Sequence, residues 1–139
     1  MPAVPAATTA TSSSRSPIGV VILAWLLPGA GHFLLHRRGR AAIVFVTVAV
    51  TFAIGLLMHG PMSQLSSTGD LLSRIIQYLA FVGDLASGLF YFAAVWFGYA
   101  PPDQAGHTAD YGSKFIVAAG LLNILAMIDA YEIATGQKD

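Results

Sequence analysis

Ala24–Val44 reads AWLLPGAGHFLLHRRGRAAIV, and the reading of this stretch decides the fold. An apolar run is interrupted at Pro28-Gly29-Ala30-Gly31, resumes briefly, meets Arg37, Arg38 and Arg40, and gives way to a second apolar run. Proline removes a backbone donor and crowds the carbonyl of Ala24, four residues back. The small residues behind it let another backbone come close. The pattern predicts the turn-bearing half of a membrane hairpin, with its arginine knuckle at the lipid headgroups. Ile18 to Leu27 is too short to cross a bilayer, which takes about 20 residues at about 1.5 Å each. Continued through Leu35 the segment is just long enough to cross with a kink. The alternative is a re-entrant loop that dips in and returns to the same side.

Working outward, the composition agrees with lipid as the solvent. Of 139 residues 55% are hydrophobic and only 10% are charged, where soluble domains carry about a quarter. Formal net charge is zero, so there is no basic surface for a nucleic-acid partner. The absence of cysteine removes disulfides, thiolate metal sites and thiol nucleophiles together. Residues 1–16, MPAVPAATTATSSSRS, form an Ala/Ser/Thr/Pro-rich stretch without apolar periodicity, the composition of a flexible tail. It lacks the basic start and apolar run of a signal peptide. The expected fold class is all-α: a polytopic membrane helix bundle of about four spans, in one domain over residues 17–139.

The second expected span is Ala41–Met58. Thr47, Thr51 and Gly55 recur at four-residue spacing, as do Ala49 and Ala53, and small residues so spaced make a close helix–helix face. The third, Leu71–Tyr99, exceeds one crossing, so it is tilted, broken near Gly83, or begun as an interfacial turn. Ser73, Gln77, Ala80, Asp84, Ser87 and Tyr91 alternate spacings of four and three, which is one helical face. That face must point inward, since Asp84 in lipid would cost about 3 kcal/mol or more. The fourth span runs from about Ser113 to Thr135, with Asn123 in its middle and Asp129 and Glu132 toward its end. Polar loops at His59–Asp70 and Ala100–Gly112 separate these segments. The arginine knuckle marks the cytoplasmic side of a bacterial inner membrane. Four crossings put both termini outside, whereas a re-entrant first segment brings the N-terminus inside.

The strings AWLLPGAGHFLLHRRGRA (Ala24–Ala41) and AGLLNILAMIDAYEIATGQK (Ala119–Lys138) resemble an uncharacterised family of small bacterial membrane proteins with a PGAGH signature. The Gly-x-Gly-His element is also similar to the turn of the two-transmembrane ("TM-two") domain family. The resemblance implies a few packed membrane helices and no particular activity. At position 36, where that family tends to have glycine before the arginines, this chain has His36.

Several side chains are candidates for chemistry. His32 and His36 lie one helical turn apart and could serve a haem or chlorophyll-type pigment through His32, or a metal; without a nearby carboxylate or thiolate the metal site is incomplete. The plainer reading has His32 bonding carbonyls freed by Pro28. Arg37, Arg38 and Arg40 suit anionic lipid headgroups, or serve only to orient the chain. Asp84, with Gln77 and Asn123 as further intramembrane polar groups, either holds the bundle in register or carries protons. Alternating crossings bring Arg74 and Asp129 to one side, where an ion pair is expected. No Ser–His–carboxylate or phosphate-cradling motif is present, so no enzyme is expected. The leading functional expectation is a non-catalytic accessory or scaffold subunit, packing through the small-residue faces of spans two and four against other membrane-protein subunits, as part of a possibly energy-transducing complex. The alternative is a homo-oligomeric, proton-coupled carrier using Asp84.

Overall fold

The computed structural model describes residues 16–63, 68–101 and 107–138. The tail expected over residues 1–16 lies outside them except for Ser16, as do parts of both polar loops. Six helices follow in order: α1 (Pro17–Leu26), α2 (Ala30–Leu34), α3 (Arg38–Leu57), α4 (Leu71–Ala86), α5 (Leu89–Trp96) and α6 (His107–Ala134). No strand occurs among the described residues. α6 begins at His107, earlier than the expected Ser113, and takes in Asp110 and Gly112.

α3 and α6 are the long antiparallel axis. A Cβ on Gly55 of α3 would stand 2.8 Å from the Gly112 carbonyl oxygen of α6 and 2.6 Å from Ile116. At the opposite end Arg40 of α3 reaches Asp129 of α6. These contacts define a Gly60 end and an arginine end. Where lipid replaces water, helix association draws on close van der Waals packing rather than on hydrophobic burial. The α3 face turned inward is Ala41, Val48, Phe52 and Gly55. The expected Thr47–Thr51–Gly55 stripe therefore holds only at Gly55. Thr47 is exposed, and Thr51 satisfies its hydroxyl on the Thr47 carbonyl at 2.7 Å.

α1 and α2 form a hairpin that starts and finishes at the arginine end. Val20 and Ala24 of α1 pack on Ala130 of α6, and α1 runs as far as Trp25, whose carbonyl meets Asn123 halfway along α6. Pro28 and Gly29 reverse the chain; Gly29 takes φ +84°, which a side chain would resist. α2 then returns, Gly31 lying against Ala24 and Ala130, and delivers His32 to Asp129. The chain path of the first segment doubles back at Pro28-Gly29, and α1 and α2 lie side by side against α6.

α4 and α5 form a second bent pair. α3 ends at Met58, close to the Gly60 end, and α4 next brings its C-terminus to the middle of α6. There Gly83 rests on Val117, and a Cβ on Gly120 would fall 1.6 Å from the Gly83 carbonyl oxygen. The chain breaks at Ser87-Gly88, and α5 departs at 95° to α4. Phe90 of α5 stacks on Phe52 of α3 at 5.8 Å. Just beyond α5, Tyr99 donates to the Leu56 and Gly60 carbonyls at 3.2 and 3.1 Å. The path from Gly60 to Tyr99 thus ends where it began. Gly83 is a packing contact, and the break expected there lies at Gly88. Among the described residues, α3 and α6 are individually long and apolar enough to cross a membrane, or three segments if the bent pair counts as one. Where about four spans were expected, the described residues hold two to three candidate spans and a short apolar helix, α1.

Candidate functional site at the helix breaks

Ending a helix leaves its last carbonyls without partners, and away from water each such group is costly. The two breaks meet halfway along α6, and side chains satisfy their carbonyls there. Asn123, fully buried, uses both Nδ2 hydrogens: one on the Trp25 carbonyl at the end of α1, 3.1 Å, and one on the Ala86 carbonyl at the end of α4, 2.9 Å. Trp25 Nε1 donates to the Leu85 carbonyl at 3.2 Å. Ser87 Oγ turns back onto the Asp84 carbonyl at 2.6 Å. One amide thereby caps two helices that arrive from opposite ends of the molecule.

Asp84 lies one turn before the α4 break and is 1% exposed. One carboxylate oxygen accepts the Ser63 backbone N–H at 2.6 Å, while the other is buried without a partner. The Asn123 carbonyl oxygen is likewise buried and unpartnered. Of the polar face read from the sequence, Asp84 and Ser87 are buried, and Ser73, Gln77 and Ala80 are half-buried. Tyr91 falls beyond the break, which ends the common face. At the start of α4, Ser73 Oγ donates to the Asp70 carboxylate, and that bond holds the carboxyl below its usual range.

A second cluster occupies the arginine end. The Asp129 carboxylate accepts from His32 Nε2 at 2.8 Å and from Lys138 Nζ, with Arg40 Nη1 at 3.7 Å. These partners come from α2, α3 and the C-terminal residues. Arg74 is not among them, so the expected Arg74–Asp129 pair is corrected. That pair presupposed an unbroken third span, and α4 and α5 are instead bent by 95°. His32 is 1% exposed with Nε2 engaged, and its Nδ1 is buried without a partner; a macrocycle has no approach to the ring nitrogen that points at Asp129. His36 is exposed at φ +61°, in the turn between α2 and α3. Among the described residues no group of three or more His, Asp or Glu side chains is arranged to hold a metal ion.

Trp25 and Ser63 were the participants that pattern reading passed over. A tryptophan three residues before a Pro-Gly break is a usable signal, since a buried indole N–H seeks an acceptor. Ser63 contributes only its backbone, which leaves no mark on side-chain patterning.

These features define a class: an all-helical membrane protein in which apolar helices able to span a bilayer frame two broken elements that meet halfway. Within that class the chain belongs to the family of unknown function DUF6677, whose profile matches residues 19–139. No curated protein and no solved structure matches it.

Proposed function

We propose that this protein is a small, non-catalytic carrier of the bacterial cytoplasmic membrane, acting as a homo-oligomer, in which Asp84 takes up and releases protons as a small polar solute passes. The observation that carries the reading is the buried Asp84 carboxyl with one unpartnered oxygen, at the end of a helix that stops halfway along α6. Irregular backbone at membrane depth is tolerated only where protein buries it or where it lines a wet path. Ionisable groups at that depth mark ion and substrate routes. Interrupted helices that meet near the midplane are how many transporters build their sites. Arg37, Arg38, Arg40 and Lys138 favour a cytoplasmic arginine end. Because the first hairpin returns, this orientation puts the start of α1 and the C-terminal residues inside as well.

The accessory-subunit reading rested on small size, the absence of catalytic motifs and the small-residue faces of spans two and four. On those faces Gly55 and Gly120 are occupied from within the chain, which moves the weight to the carrier. The test is proton entry into vesicles containing the purified protein, followed by an internal pH dye under an imposed gradient. Asp84→Asn should abolish the flux while Asp70→Asn, at an exposed carboxylate just before the same helix, preserves it. A silent parent protein, or undiminished flux in Asp84→Asn, overturns the reading.

A further inference from the structure

The arginine knuckle divides in two once the ion pairs are assigned. Arg40 stands beside Asp129, whose carboxylate is shared with His32 and Lys138. Arg37 and Arg38 have no acidic partner among the described residues. Arg38 begins α3, and its guanidinium carbon lies 5.9 Å from the centroid of the Phe33 ring. From this point a groove of about 330 Å³ runs between the α1–α2 turn and the first turns of α3, toward Leu27 and Pro28. Its lining is almost wholly apolar: Phe33 and Phe45 stand at its sides, and Ala42 contributes only a methyl. The volume falls within the range of specific small-ligand sites, about 300–1,000 Å³.

The groove therefore has a cationic mouth at the arginine end and a hydrocarbon-lined trough reaching toward the halfway point of α6. We infer that it binds one anionic phospholipid, its phosphate at Arg38 with Arg37 alongside, and an acyl chain along Phe33, Ala42 and Phe45 toward Pro28. Charge complementarity selects the occupant. A zwitterionic lipid offers the same chain but brings a cation to a mouth that already holds unpaired arginines. A free phosphate matches the mouth but leaves the trough unfilled. The inference does not depend on Asp84, which lies at the other break.

The test uses the full chain in mild detergent, titrated with mixed micelles of phosphatidylglycerol, phosphatidylcholine of the same acyl chains, or glycerol phosphate alone. Thermal melting and native mass spectrometry read the binding. Phosphatidylglycerol should raise the melting temperature and remain attached, and the other two should do neither. Arg38→Ala should weaken the phosphatidylglycerol complex about fivefold, the worth of one interfacial arginine. Ala42→Trp, which fills the trough from an exposed position, should remove it while helicity by circular dichroism is kept; if that variant loses helicity, Ala42→Leu is read in its place. Equal binding of the phosphatidylcholine overturns the charge assignment. Competition by glycerol phosphate overturns the lipid as occupant. Undiminished phosphatidylglycerol binding in the folded groove variant overturns the site.

Discussion

The two helix breaks solve one problem with different residues. Each stops a helix halfway along α6 and restarts the chain from a left-handed glycine, Gly29 at φ +84° and Gly88 at φ +63°. The first announces itself with Pro28, which cannot continue a helix regularly. The second has no proline and interrupts an otherwise apolar run with Ser87-Gly88 alone. The difference teaches that a break can be written in the chain that breaks, or in what presses on it. A Cβ on Gly29 would sit 2.4 Å from the Ala41 carbonyl oxygen, and one on Gly88 would sit 1.9 Å from that of Trp25. The second break is thus held against the end of the first.

The largest expected effect separates conformation from crowding. Gly88→Ala should all but remove folded protein in detergent, by yield and thermal melt, because both φ and the Trp25 backbone oppose a side chain. Gly29→Ala should follow closely. Gly98 also has a positive φ, +68°, but meets nothing within 4 Å. Gly98→Ala should therefore cost only about 1–2 kcal/mol. Equal damage from Gly88→Ala and Gly98→Ala would mean that the tips do not touch.

Next comes the group that joins the breaks. Asn123→Leu leaves the Trp25 and Ala86 carbonyls without this donor, and each lost bond should cost about 1–3 kcal/mol. Melts of Asn123→Leu, Trp25→Phe and the double variant should be non-additive, since both side chains serve the same pair of helix ends. Strict additivity would separate the two breaks energetically.

The smallest effect belongs to the first hairpin alone. His36 adopts φ +61°, where a non-glycine residue carries a strain of about 1–2 kcal/mol. His36→Gly should raise thermal stability by about 1 kcal/mol, partly offset by greater freedom of the unfolded chain. No gain would mean that the imidazole makes a compensating contact.

What could be read from residues alone follows the same contrast. Pro28 and its small neighbours marked the first reversal, because proline and glycine act through their own backbones. Asp84 and Asn123 stood out because polar groups in apolar helices must be sheltered. The Ser87-Gly88 break was hidden, since its cause, the Trp25 carbonyl, lies about 60 residues away in sequence and no local pattern encodes that contact. Gly83 drew the expectation because it sits mid-segment, yet it serves Val117 and Gly120. Pairing Arg74 with Asp129 failed for a related reason. It assumed that every long apolar stretch runs unbroken, and one is bent by 95°.

Asn123 also sets an order of events. It belongs to α6, synthesised after α1 and α4, whose ends it caps. Until α6 arrives, neither hairpin tip has this cap, so both must wait in some other arrangement at the insertion machinery. A nascent chain halted before residue 107 would lack the clasp for its whole interior. The fold is fastened by a helix made after the ends it holds.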